Sequence, residues 1–268
     1  NLGLILFVIS LGFIFGPLAG GILSDKDLLA SFSYATPFYF AAAISLLNAI
    51  LLQFLFKETF THTEKLRIKL SHAIEIFISA FTNEKVRELS IILLVMIFGW
   101  SGFYSFISMF LLRVYHFSAL QTGFYMGLMG VGFGIGTGFL VDPCTRYFTL
   151  KACVIGGSLI AGVCTLLTLL APNTLFLWII IVPLAAAIAI AYSTILTQFS
   201  NQVDEDSQGW VMGITGAIMA FAFGVNGVLV GALADLDTRI PLIIAFAGMT
   251  LAGVLMKLIF KGNHDKKN

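Results

Sequence analysis

The sequence predicts an all-α integral membrane protein with eight membrane-crossing helices. Three observations lead there. Of its 268 residues, 59% are hydrophobic and 11% charged, whereas soluble domains carry roughly 25% charged residues. A soluble globule of this size could not hide so much apolar surface, so lipid must be the solvent for most of it. Second, uncharged apolar stretches of about 20 residues, the length that crosses a bilayer, recur along the chain. Third, short polar turns such as Ser24-Asp25-Lys26-Asp27, Ala171-Pro172-Asn173-Thr174 and Asp235-Leu236-Asp237-Thr238-Arg239 separate most of them.

The spans fall at about 2–23, 37–56, 89–112, 121–141, 149–171, 174–199, 209–233 and 240–260. One connector breaks the rhythm: residues 57–88 are charged and too long for a simple turn. The side holding it also holds Lys57, Lys65, Arg67, Lys69, Lys85, Arg87, Arg146, Lys151, Lys257, Lys261, Lys266 and Lys267. The other side holds only Lys26, Arg113 and Arg239. The positive-inside rule therefore makes the connector and the C-terminus cytoplasmic, in a plasma (inner) membrane. Inside the connector, Leu66, Leu70, Ala73, Ile74, Phe77 and Phe81 recur at helical spacing with charges on the other faces. This predicts an amphipathic helix on the cytoplasmic membrane surface, with docking on a partner helix as the other reading. The chain begins on Asn1 inside an apolar span, with neither a basic n-region nor a small-residue cleavage site, and reads as a fragment of a longer protein.

Glycine is costly inside helices, by about 1 kcal/mol relative to alanine, yet three spans are rich in it. The first reads Gly3-x8-Gly12-x3-Gly16-Pro17-x2-Gly20-Gly21. In a membrane the reason for such a run is close helix packing. Gly12, Gly16 and Gly20 share an arc of about 80°, with Gly3 and Gly21 opposite. Pro17, lacking an N–H, predicts a kink. In the fourth span Gly123, Gly127, Gly130, Gly134 and Gly138 share one face. In the seventh, Gly209, Gly213, Gly216, Gly224, Gly227 and Gly231 do, with Ala220 among them.

At these residues the chain resembles the major facilitator superfamily, and within it the drug:proton antiporters of the tetracycline and multidrug exporter kind. The opening run matches the antiporter motif on the fifth helix of that family at every fixed position. The resemblance implies a major facilitator fold with eight transmembrane helices present of an expected twelve. It implies the last two helices of the N-terminal half at 1–56, the cytoplasmic connector at 57–88, and the C-terminal six-helix half with a short tail at 89–268. It also implies that Gly3, Gly12, Gly16, Pro17, Gly20 and Gly21 form one side of the interface between halves, facing the glycine face that carries Gly127 and Gly134. After its eighth helix the family reads Gly-x-Leu-x-Asp-Arg-x-Gly-Arg-Arg. Here Gly138, Leu140, Asp142 and Arg146 are kept in a loop that otherwise departs from the pattern. Asp142, with Arg146, is then a gating candidate, its carboxylate facing the positive N-terminus of the fifth helix; a plain helix-terminal turn is the other reading.

Helices seven and ten line the central cavity in that family. This makes Trp100, Ser101, Tyr104, Ser105 and Ser108 on the third span, and Tyr192 and Gln198 on the sixth, candidate substrate contacts. Aromatic faces with a few hydroxyls suit a bulky amphipathic or cationic ligand; each hydroxyl could instead bond a helix carbonyl. Asn48 and Asn226 sit at membrane depth and fit either a helix–helix bond or a cavity role. None of the 14 acidic residues lies mid-span, where such a group would be costly and functional, and the four histidines lie outside the spans too. A proton site is thus expected in the missing N-terminal helices. Cys144, Cys153 and Cys164 suggest no disulfide framework, and no phosphate loop, metal-ligand spacing or catalytic triad is present.

The expectation is a monomeric transporter, not an enzyme, with no cofactor and no metal. Its partners are the lipid bilayer, a small-molecule substrate and protons; the net charge of +1 argues against nucleic acid. Export by antiport is the first reading, import by a symporter or facilitator the second, and a non-transporting membrane sensor or scaffold the third.

Overall fold

A computed structural model describes the backbone of residues 2–56 and 70–260 and the side chains of residues 11–56, 74–205 and 207–260. The described residues contain helices and no strand. These are α1 (Leu2–Ser24), α2 (Thr36–Leu55), α3 (Leu70–Thr82), α4 (Arg87–Tyr115), α5 (Ala119–Ile135), α6 (Val141–Tyr147), α7 (Leu150–Leu169), α8 (Thr174–Ser200), α9 (Gln208–Ala234) and α10 (Ile240–Leu258). Seven helices are long and apolar enough to cross a membrane, α5 and α6 counting as one, and α1 is a further apolar helix whose described stretch is Leu11–Ser24.

Polar residues between spans do the capping. Ser118 starts α5 with a capping box: its side chain accepts from the Gln121 N–H while Gln121 accepts from the Ser118 N–H. Thr149 and Asn173 cap α7 and α8 through the N–H groups of Ala152 and Phe176. In the turn before α9, Asp204 accepts from the Ser207 N–H. Those bonds, with Lys85 nearby, hold its carboxyl below the usual carboxylate range. A depressed folded pKa makes the cap's contribution complete above the unfolded value and lost as pH falls through the folded one. Amide exchange at Ser207 should therefore stay slow until the pH drops below the ordinary aspartate range. In Asp204→Ala it should be fast at every pH; equal protection in the two proteins would remove the cap.

The six helices after the connector form an open ring. α9 packs on α4, α4 on α10, α10 on α7, α7 on α8 and α8 on α5; α1 then packs along the outside of α5, and α2 lies against α1. The core runs along α4, where Leu89, Ile92, Leu93, Met96, Phe103, Ile107 and Leu111 are fully buried. Its closest crossing with α10 places Gly99 against Gly248: a Cβ at Gly99 would lie 2.7 Å from the Met249 nitrogen. Gly157 on α7 meets Ala187 and Ala191 of α8, and Gly132 and Gly136 meet Ala185 and Ala189. Backbones approach this closely only where side chains are small, and dispersion contacts then hold the helices without a hydrophobic driving force. At the C-terminal end of α4 the Tyr115 hydroxyl donates to the Ala171 carbonyl at 2.8 Å. At the opposite end of the bundle Lys151 Nζ donates to the Phe260 carbonyl at 2.5 Å, a cation on the C-terminal end of α10.

One expectation needs correction. Residues 138–147 are not a loop. A π-turn over Gly136–Leu140 runs straight into α6, so the helix continues to Tyr147. The cause lies in the sequence: Pro143 offers no N–H to the Phe139 carbonyl and its ring crowds it, and a widened π-turn just upstream absorbs the misfit. The connector's amphipathic helix α3 touches α9 and α4, with Ala80 fully buried and the Phe77 ring 4.8 Å from that of Phe221, while Ile74 and Ile78 stay exposed. Leu66 lies outside the described residues.

α4 ends on His116, whose φ of 55° is left-handed while its N–H bonds back to the Leu111 carbonyl. A side chain there costs roughly 1–2 kcal/mol, part of which glycine returns through its looser unfolded state. His116→Gly should raise stability by about 1 kcal/mol. Thermal unfolding in detergent measures it, and a lower midpoint would refute the strain.

Candidate functional site

Six aromatic rings from four helices meet at mid-depth. Trp100, about 20 Å along α4 by helical rise, is 7% exposed. It stacks on Phe103 (centroids 5.9 Å), tilts against Tyr104 (6.0 Å) and meets the Phe133 ring of α5 edge-on at 5.3 Å. Phe13 of α1 stacks on Phe133 at 5.9 Å and turns its edge to Tyr104 at 6.4 Å. Phe223 of α9 closes the far side, 6.2 Å from Tyr104. Pairs in these geometries contribute about 0.5–1.5 kcal/mol each beyond the area they bury. The cluster is not sealed: Phe13 is 40% exposed and Tyr104 half-buried.

The hydroxyls divide cleanly. Ser101 is fully buried and turned toward α9. It donates to the Phe98 carbonyl at 3.1 Å and accepts from Asn226 Nδ2 at 2.9 Å. Thr194 and Thr197 bond back to the carbonyls of Ile190 and Ser193. By contrast, Tyr104, Ser105, Ser108, Tyr192 and Gln198 make no hydrogen bond among the described residues, and neither does the Trp100 indole N–H. Those groups keep their bonding capacity for something else.

The candidates do not gather at one point. Trp100 and Tyr104 belong to the ring cluster. Ser108 lies one turn further along α4 and lines a cavity of about 500 Å³ between the C-terminal ends of α1 and α4 and the N-terminal end of α5, together with Ser24, Arg113 and Thr122. Tyr192 and Gln198 lie on α8, with Tyr192 only about 12 Å from the C-terminal end of that helix, and Tyr192 makes no ring contact with the cluster among the described residues. Phe13, Phe133 and Phe223 carry no sequence signal of their own beyond their place on glycine-rich helices.

The glycine run meets α5, though with a different face from the one its spacing suggests. Cβ atoms built at Gly123, Gly127 and Gly130 would lie 2.7 Å from the Pro17 carbonyl, 2.7 Å from Leu18 Cγ and 2.6 Å from the Phe13 carbonyl. Gly21 sits against Gly123. Gly12, Gly16 and Gly20 have nothing within 4 Å. The seam on α1 is therefore Phe13, Ile14, Pro17, Leu18 and Gly21, at spacings of three and four that counting glycines hides. Gly134 is half-buried, and the surroundings of Gly3 lie outside the described residues. On α9, Gly216, Gly224 and Gly227 face open space. Asp142 and Arg146 are exposed on α6 and form no ion pair among the described residues; the expected partner at the start of α1 lies outside them.

The sequence model of the Major Facilitator Superfamily matches residues 1–226 of this chain. The chain belongs to the major facilitator superfamily. The seven apolar spans agree with that membership and with an integral membrane protein. The superfamily relatives include the quinolone resistance protein NorA of Staphylococcus aureus (strain MRSA252), 28% identical over 278 residues, covering 99% of this chain and 66% of that protein. Multidrug resistance protein 2 of Bacillus subtilis (strain 168) is 27% identical over 282 residues, covering 100% and 65%. The chain thus spans just under two thirds of the length of these relatives.

Proposed function

We propose that the protein is a secondary transporter that exports small organic, drug-like molecules by alternating access and exchanges them for protons. The six-ring cluster carries this reading. It joins α1 to the helices on the other side of the connector, presents aromatic faces, and holds the unbonded Trp100 N–H and Tyr104 hydroxyl within it. Such a surface suits flat, bulky or cationic ligands, for which π-faces supply attraction without demanding one hydrogen-bond pattern. The printed names of the two relatives, quinolone resistance and multidrug resistance, support the same class of cargo. Residues 1–56, 57–88 and 89–268 then act as the end of one half, the connector and the other half, rocking about the site, with Asp142 and Arg146 at the inner gate. The connector and C-terminus face the cytoplasm, and the protein works as a monomer.

Exchange for protons rests on the opening glycine–proline motif, and the proton-carrying group is assigned to the part of the relatives' length that this chain does not span. The location of this chain's acids, all outside the span cores, favours a second reading: passage down a gradient without coupling. Efflux of a fluorescent lipophilic cation from cells making the intact protein decides between them. Antiport predicts export that an uncoupler abolishes; a facilitator predicts equilibration that an uncoupler leaves alone. No movement, even into proteoliposomes with an imposed pH gradient, would sink both and leave a membrane sensor.

A further inference from the structure

Asn226 is fully buried on α9 and spends only half of its amide. Nδ2 donates to the Phe98 carbonyl at 2.6 Å and to Ser101 Oγ at 2.9 Å, both on α4. Oδ1 has no donor. Stability alone does not account for this residue. An orphaned buried acceptor opposes folding, and the α4 groups do not need the amide, because the Ser101 hydroxyl already donates to the Phe98 carbonyl at 3.1 Å. A valine, which reaches no further than the amide carbon, would remove one unsatisfied atom and create none. What the amide does supply is direction. An apolar pair can slide or rotate against its neighbour, whereas a two-pronged donor aimed at one carbonyl and one hydroxyl fixes the register between two helices, the best-attested use of a buried polar group.

That register bears on the ring cluster. Ser101 precedes Tyr104 by three positions and follows Trp100 directly, so the clamped turn of α4 is the one that carries both rings. On α9, Phe223 lies three positions before Asn226, on the neighbouring part of the same face, and its ring meets Tyr104 at 6.2 Å. Gly102 completes the fit: a Cβ there would sit 3.3 Å from Asn226 Nδ2, tighter than the amide tolerates without shifting.

We infer that Asn226 is a positioning residue of the proposed substrate site, locking α9 to α4 so that Trp100, Tyr104 and Phe223 hold one arrangement. The inference rests on the reading of the ring cluster as that site. Its test uses the intact protein in detergent, with every tryptophan other than Trp100 replaced by phenylalanine, Trp178→Phe and Trp210→Phe among them. Against that parent, Asn226→Val should melt at the same temperature or higher. The emission maximum of Trp100 should shift without any ligand, and quenching by tetraphenylphosphonium should need about tenfold more of it, a change of about 1.4 kcal/mol in binding. Emission and quenching identical to the parent overturn the inference, as does a lower melting temperature with unchanged emission, which makes Asn226 a packing residue. Should Asn226→Val fail to fold, Gly102→Ala displaces the same amide and is read by the same two signals. A parent that tetraphenylphosphonium does not quench refutes the cluster as a cation site, while the ligand-free emission still decides the positioning.

Discussion

Valine at both Gly123 and Gly130 is expected to unseat α1 from α5 and to abolish transport. Even a single Cβ at these positions would lie 2.7 Å from the Pro17 carbonyl and 2.6 Å from the Phe13 carbonyl. These are backbone atoms of a packed helix that cannot swing aside as a flexible side chain would. Overpacking of this kind costs about 1–3 kcal/mol per site, and because the two sites strain one seam the costs compound rather than simply add. Pro17 makes the seam less forgiving, since its fixed φ limits how α1 can bend to escape. Thermal unfolding in detergent and efflux in cells measure the effect. The control is Gly156→Ala on α7, where an added Cβ meets nothing within 4 Å and should leave both near the parent. Were the double variant to match that control, close packing of α1 on α5 could not be what the glycines serve.

Trp100→Ala is expected to be the most damaging single truncation in the site. The indole fills the space between Phe103, Tyr104 and Phe133 and is 7% exposed. Truncating a buried aromatic side chain to alanine typically costs about 3–5 kcal/mol through lost transfer and the cavity left behind. Trp100→Phe keeps a π-face in place and should retain most of the stability while losing the unbonded N–H. The two variants separate packing from recognition. If ligands need only the aromatic face, Trp100→Phe binds a lipophilic cation within a few-fold of the parent while Trp100→Ala loses at least tenfold, about 1.4 kcal/mol. Equal binding by parent and alanine variant would move the substrate site elsewhere, with the cavity beside Arg113 and Ser108 as the next place to look.

The spans were readable because a membrane imposes a length and an apolar composition that nothing else in a sequence imitates. Contacts between spans were readable only in part. A stripe of glycines says that a helix has a flat face, not what lies against it. The stripe on α5 meets α1 at Gly123, Gly127 and Gly130, whereas Gly216, Gly224 and Gly227 on α9 meet nothing described. The tight Gly99–Gly248 crossing escaped notice because each helix brings one residue to it and no stripe forms. In the site, Trp100 and Tyr104 stood out beside a run of serines. Phe13, Phe133 and Phe223 are three of 26 phenylalanines, and only the fold selects them. Ser101 and Ser105 look alike in the sequence. One is bonded to Asn226 and the other is not, a distinction that depends on a helix more than a hundred residues away. The continuation of α5 through Tyr147 was hidden because a proline normally signals a stop, and here the upstream π-turn cancels that signal.

The π-turn at Gly136–Leu140 also acts as a phase shifter. Each residue in a helix advances the azimuth by about 100°, and a π-turn accommodates one extra residue without breaking the rod. Everything beyond it, Asp142 and Arg146 included, is therefore rotated by about 100° relative to an uninterrupted helix grown from Gly123 and Gly130. One continuous 29-residue span, Ala119–Tyr147, thus shows its glycines to α1 on one bearing and its charges on another. The bearing of those charges is set by a single residue of winding, so it can change without any movement of the N-terminal part of the helix.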